Sequence, residues 1–232
     1  MFQASVPHFN SGAFTSHRTR LPDKEYGEAL DCIVKGCSDM MLLSPDANSV
    51  LLGKRVVQPQ PDWWFVGGRI FPGETPTQSC CRLLKRELSL DVEPARLRSI
   101  CCASLAWGRR EQLPQEHGTT DIQVALTLQL TSDEVDRVRL DAAEYSDSKF
   151  VPLRDIEGGD YHPALKFAVG SLIAYQKHQL LRDAVEAGHD DASVAAIARE
   201  FIALQPTVPE GESQYRIRAP CLGYEAGVVV SN

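Results

Sequence analysis

The chain has 232 residues, 43% hydrophobic and 24% charged, enough for one domain with an ample core and ordinary for a soluble protein. Its net charge of −7 argues against a broad surface for a nucleic-acid backbone, so a nucleotide must be held by a local basic pocket. Seven cysteines, an odd number with no C-x-x-C spacing, speak for a reducing compartment and against a zinc site. No long apolar span, signal peptide or lipidation motif is evident, which makes no membrane partner and a cytoplasmic location the expectation.

Residues 1–20 lack apolar periodicity and carry His8, His17, Arg18 and Arg20. They read as a solvated arm, or as a basic arm reaching a phosphate. A helix is predicted from Leu21-Pro22-Asp23 to Gly36, with Tyr26, Leu30, Ile33 and Val34 on one face. Cys37–Leu43 and Val50–Val57 form a hairpin around SPDAN, and QPQPD, with two prolines, is no interior strand. Asp39, near the start of the first strand, reads on its own as a solvated strand-edge carboxylate. Trp63, Trp64 and Phe65 resume the sheet, and Trp64 either stacks on a base or packs in the core.

The best-specified local structure begins at Thr75. Thr75 and Gln78 make a Thr-x-x-Gln capping box with Pro76 at the first helical position. Cys80, Leu83, Leu84, Glu87 and Leu88 then recur at helical spacing, so an apolar face carries one acid. Such a carboxylate needs a cation, an arginine or a proton. Gly67, Gly68 and Gly73 let the preceding loop fold close to it, and a peptide oxygen beside a carboxylate suits Mg²⁺.

Downstream, residues 97–105 and 122–130 read as strands, the second alternating without a break and predicted to be central. Between them lies a polar loop with His117, a candidate base, phosphate contact or plain surface histidine. A short helix follows at 132–138, then a loop with Glu144, Tyr145 and Asp147, a strand at 149–153 and a long helix from Pro163 to Glu186. Leu165, Phe167, Ala168, Leu172, Tyr175, Leu180 and Leu181 are its expected buried face. His162, just before that helix, is a second candidate base. After Gly188 comes a helix at about 192–204, and residues 205–232 carry no chemistry that can be named.

Gly68, Glu74, Arg82, Glu87 and the apolar Leu90 together resemble the Nudix box, Gly-x5-Glu-x7-Arg-Glu-apolar-x-Glu-Glu-x-Gly-apolar. Leu83 and Arg86 stand where two helix glutamates would be, and Ser89 replaces the late glycine. The pattern GGR-x5-ET followed by R-L-x3-E-L resembles the variant box of GDP-mannose mannosyl hydrolases, and VLLGKR and WWFVGGR resemble that family's flanking segments.

The resemblance implies an α/β fold: a Nudix-like α/β/α sandwich around a mixed β-sheet, with an N-terminal arm (1–20), a catalytic domain (21–188) and a C-terminal helix and tail (189–232). It further implies Mg²⁺-dependent hydrolysis of a small-molecule nucleotide sugar such as GDP-mannose, water attacking the anomeric carbon. Gly67, Glu87 and Glu144 would hold the metal. Arg55 and Arg69 would neutralise the leaving diphosphate, with Asp39 beside the substrate orienting Arg69; Trp64 joins the substrate-binding candidates as a ring able to stack on a base. Tyr145 falls at the family's catalytic-base position, although a phenol with pKa about 10 makes a poor base. A homodimer is also implied. Two other readings stand beside this one: ordinary Nudix attack at phosphorus, and a non-catalytic module that binds a nucleotide or nucleotide sugar.

Overall fold

The computed structural model describes residues 5–206. The expectation for the C-terminal tail therefore lies, from residue 207 on, outside the described residues. Seven strands form one mixed sheet: β1 (Lys35–Leu43), β2 (Ser49–Arg55), β3 (Trp63–Trp64), β4 (Val66–Arg69), β5 (Arg98–Trp107), β6 (Thr119–Gln129) and β7 (Tyr145–Pro152). The order is β3-β2-β1-β6-β5, with β4 also paired to β1 and β7 to β2. The β1–β6 pair is parallel and the others are antiparallel.

The α-helices among the described residues are α1 (Asp23–Leu30), α2 (Pro76–Leu88), α3 (Ser132–Arg137), α4 (Leu153–Gly158), α5 (Pro163–Glu186) and α6 (Asp191–Leu204). Two of them cover the sheet, one on each face. On one side Met40, Leu42, Val66, Leu126 and Leu128 pack with Cys80, Leu83, Leu84 and Leu88 of α2. On the other Met41, Leu43, Trp64, Trp107 and Ala125 pack with Leu165, Ala168, Val169 and Leu172 of α5. Successive residues of a strand face opposite ways, so β1 sends Met40 and Leu42 to α2 and Met41 and Leu43 to α5. Each fully buried leucine contributes about 1.5–3 kcal/mol.

α2 forms where the capping signals put it. The Thr75 hydroxyl accepts from the Gln78 amide at 3.1 Å, and the Gln78 side chain accepts from the Thr75 amide at 2.8 Å. Ser89 ends the helix in the left-handed region at φ 55°. α5 spans Pro163–Glu186 as predicted, but Leu180 is 54% exposed, and Ala174 and Ala184 are buried. α6 lies along α5, tied by Lys177 to Glu200 at 2.6 Å.

Three expectations are corrected. α1 stops at Leu30 instead of reaching Gly36, because Lys35 and Gly36 already pair with Asp121 and Ile122 of β6. Ile33 and Val34, assigned to the helix face, are exposed. Tyr145 and Asp147 lie in β7 instead of a loop, since β2 recruits them as partners of Arg55 and Lys54 across a register shift. Among the described residues no helix is long and apolar enough to cross a membrane.

Candidate active site

β1 and β6 lie parallel with Lys35 opposite Asp121 and Cys37 opposite Gln123. The face that is apolar at Met41, Leu43 and Ala125 turns polar at the start of both strands, through Lys35, Cys37 and Asp39 on one and Thr119, Asp121 and Gln123 on the other. Those polar residues floor a cavity of about 240 Å³. Asp39, Arg55, Trp64, Gly67 and Arg69 all line it, with Phe65, Trp107 and Tyr26 as further aromatic wall. Small-molecule pockets run to roughly 300–1,000 Å³, so this one takes about one nucleoside or sugar unit, the rest of a ligand extending past its mouth.

Asp39 is 5% exposed. Its Oδ2 accepts the Trp64 indole N–H at 2.6 Å and the Gln123 side-chain amide. Burial pushes its carboxyl up to about 7, against the opposing pull of the Trp64 bond, Arg55 and Gln123. Lys35 pairs with Asp121 at 3.1 Å, and Trp107 donates to Asp121 at 2.8 Å. Arg110, 2% exposed, binds Asp31 at 2.6 Å and the Gly118 carbonyl at 3.2 Å. Its Nη2, the Thr119 hydroxyl and the Arg55 Nε are buried without hydrogen-bond partners. Three buried groups able to donate, on residues that line one cavity, call for a ligand rich in acceptors, such as phosphate or carbonyl oxygens.

Loop and helix are locked together by Arg82. Its guanidinium binds both oxygens of Glu74 at 2.9 Å, donates to the Arg69 carbonyl at 2.9 Å and stacks 4.0 Å from the centre of the Phe71 ring. Arg69 is thereby fixed at its backbone, while its exposed side chain lies over the Tyr26 ring at 4.9 Å. The N-terminal arm joins this clasp: Ser16 donates to the Pro72 carbonyl at 2.7 Å and Arg18 to Glu74 at 3.1 Å. Burial raises the Glu74 carboxyl, but Arg82 and the Phe71 amide outweigh it and hold the group below its usual range.

Glu87, Glu144 and Tyr145 form a second cluster that does not line the cavity. One carboxylate oxygen of buried Glu87 binds the Arg86 guanidinium, and the other accepts the Tyr145 hydroxyl at 3.2 Å. Arg86 also stands 3.9 Å from Glu144. Burial raises the Glu87 carboxyl and drives the Tyr145 phenol higher still above its usual value. The Tyr145 ring fills the space a side chain at Gly53 would need. As a donor with a raised pKa, Tyr145 is unsuited to the base role expected of it.

Of the set expected for Mg²⁺, both acids already have protein partners. Gly67 lies in the cavity wall opposite Asp39 on β1, Glu87 is engaged at both oxygens, and Glu144 is approached by the same guanidinium. Among the described residues no three His, Cys, Asp or Glu side chains come together as a metal site. Two carboxylates with an arginine between them do not fit a cation that wants six oxygens in an octahedron.

The two candidate histidines also lie apart from the cavity lining. His117 pairs with Asp31 at 3.2 Å. His162 caps α5, its Nδ1 accepting from the Ala164 amide at 3.1 Å, and packs against Trp64 and Trp107; burial lowers its pKa to about 4. Sequence reasoning missed Gln123, Arg110, Thr119 and Asp121. A signal existed for β6, since polar residues alternate with the apolar ones on a strand predicted to be central, where both faces are covered.

A family model described as NUDIX domain matches residues 38–169. Similar solved structures include an Ap4A hydrolase of C. elegans, 19% identical over 62% of this chain and 99% of that one, with a TM-score of 0.42. A MutT NUDIX hydrolase of Burkholderia pseudomallei is 16% identical over 60% and 98%, with a TM-score of 0.48. The E. coli dihydroneopterin triphosphate pyrophosphohydrolase is 20% identical over 59% and 94%, with a TM-score of 0.44. No curated protein matches the chain.

Proposed function

The chain belongs to the Nudix hydrolase family, and on that premise we propose that it hydrolyses a small nucleoside-diphosphate-linked compound of the nucleotide-sugar type. The observation that carries this reading is one cavity in which Arg55 and Arg69 meet Asp39 and aromatic walls from Trp64 and Trp107. Guanidinium groups match diphosphate oxygens by bidentate bonding, and aromatic walls suit a base or a sugar face. Unpartnered Arg55 Nε and Arg110 Nη2 add donors for phosphate or carbonyl oxygens.

Water attacks the anomeric carbon as the bond from that carbon to the diphosphate oxygen breaks. Its proton passes to Asp39, whose two hydrogen bonds both fall on Oδ2 and leave Oδ1 to accept it. A carboxyl with pKa about 7 exchanges protons readily near neutrality. Arg55 and Arg69 neutralise the departing nucleoside diphosphate. Divalent ions, usually Mg²⁺, serve Nudix hydrolases generally; the Glu87 cluster does not suit one, so charge neutralisation here is assigned to the arginines.

The test is product analysis with GDP-mannose, GDP-glucose, ADP-ribose and a nucleoside triphosphate in ¹⁸O-labelled water. Labelled free sugar with unlabelled nucleoside diphosphate is expected. Label in a phosphate product moves the reaction to phosphorus. Tight binding of one compound without turnover of any makes the domain a binding module, the reading that Arg86 between the two glutamates favours.

A further inference from the structure

α2 presents Leu83, Arg86 and Glu87 within about one turn, so whatever approaches Glu87 from solvent meets Arg86 beside it. The side chain of Glu87 is 2% exposed and that of Arg86 54%, which places the guanidinium between the buried carboxylate and water. Glu144, the residue before β7, reaches the same guanidinium at 3.9 Å. Tyr145 closes the other side by donating to Glu87 at 3.2 Å. The Tyr145 ring is held in turn by the bare backbone of Gly53.

We propose that Arg86 is the built-in cation of this cluster: its guanidinium occupies the place between Glu87 and Glu144 that a divalent ion would take, and the domain binds its ligand without one. Several observations converge on this. Glu87 has both oxygens engaged and, among the described residues, no third carboxylate joins it and Glu144, whereas Mg²⁺ requires several oxygens at close range. An entering divalent ion would sit against a guanidinium that stays charged at every working pH, on the side of it that faces the buried Glu87 carboxylate. Arg86 must swing out before any metal enters, and that leaves Tyr145 still holding one oxygen of Glu87.

This holds whichever ligand fills the cavity, because Arg86, Glu87 and Glu144 lie outside its lining. It also gives the replaced glutamates of the box a physical purpose. A carboxylate at residue 86 would add to the negative charge of Glu87 and Glu144 and demand a metal; an arginine there supplies the opposite charge and a hydrogen bond to the buried acid.

The experiment measures Mn²⁺ binding to the full chain by electron paramagnetic resonance, with no substrate present. The wild type is expected to bind Mn²⁺ weakly, with an affinity unchanged in Glu87→Gln. Arg86→Glu is expected to bind Mn²⁺ at least about tenfold more tightly, since it replaces a repelling cation with a third carboxylate, and Mg²⁺ should compete. The double substitution Arg86→Glu with Glu87→Gln should lose that gain, which locates the ion. Tight wild-type binding abolished by Glu87→Gln overturns the proposal, and so does a folded Arg86→Glu protein that gains nothing. If Arg86→Glu does not fold, the comparison of wild type with Glu87→Gln decides alone. Binding of GDP measured with and without EDTA gives a separate reading, expected to be equal; loss of GDP binding altogether would count against the diphosphate cavity and leave the Mn²⁺ result standing.

Discussion

The carboxylate of Asp39 occupies the space that a β-carbon on Gly67 would fill, the two residues standing opposite each other on β1 and β4. Gly67 is therefore a glycine because of its neighbour's side chain. Gly67→Ala must displace either Asp39 or the Ser38 backbone, at a cost of about 1–3 kcal/mol. Gly68→Ala meets only the end of Leu83 at 3.3 Å and should cost less than about 1 kcal/mol. Urea melts of both variants check this, and equal losses would remove the role given to Asp39.

The pH dependence of stability follows from the same carboxyl. Its pKa rises from the usual 3.8 to about 7 on folding, so between those values the folded chain binds more protons than the unfolded one. Asp39 thus contributes stability in full below pH 3.8 and loses it as pH rises through about 7. Asp39→Asn keeps an oxygen for Trp64 and Gln123 and removes the titration. It should exceed wild type by about 2–4 kcal/mol at pH 8 and match it at pH 3.5, with activity lost at every pH. Parallel curves for the two proteins across that range would show that the carboxyl does not titrate as described.

Arg55 and Arg69 differ in burial, and their substitutions should differ accordingly. Arg55→Ala removes a half-buried guanidinium whose Nε lacks a protein partner and should weaken GDP binding by roughly 100-fold. Arg69→Ala, at an exposed position, should weaken it by roughly tenfold, and that loss should shrink at high salt. Calorimetric titrations at two ionic strengths separate them.

Arg82 holds Glu74 with two bonds, holds the Arg69 carbonyl with a third and stacks on Phe71. A lysine supplies the charge but neither the fork nor the plane. Arg82→Lys should lower stability by about 1–3 kcal/mol and raise KM more than it lowers kcat, because Arg69 loses its backbone anchor. An unchanged melting temperature would sink this account.

Tyr145→Phe keeps the ring against Gly53 and removes one hydrogen bond to Glu87. A loss of about 1 kcal/mol is expected, with turnover largely retained. Turnover abolished without loss of stability would return Tyr145 to the chemistry.

Much of the fold was legible because its signals are local. The cap of α2 needs only Thr75, Pro76 and Gln78, and α5 announces itself with Pro163 after His162. Asp39, Arg55 and Arg69 were legible as site candidates through the segments around them, and the structure brings all three to one cavity. Illegible features depend on partners far away in the chain. α1 is cut short by β6, nearly a hundred residues on, and Tyr145 becomes strand because Arg55 pairs with it. Arg110 enters the cavity through packing that no window of neighbouring residues reveals, whereas Gln123 was marked by the polar alternation of β6. Arg86 was visible as a departure from the box, but its grip on Glu87 belongs to side-chain geometry alone.

The alternation of β1 makes apolar residues custodians of the chemistry. Met41 and Leu43 settle into one core and Met40 and Leu42 into the other, and this seating alone decides that Asp39 looks into the cavity while Ser38 hydrogen-bonds Ser79 on α2. A slip of one residue would exchange them, hiding the carboxylate beneath a helix and offering a hydroxyl in its place. A variant at Met40 or Met41 can thus present as an inactive protein with every cavity residue intact, and its defect would be found by asking which way β1 faces.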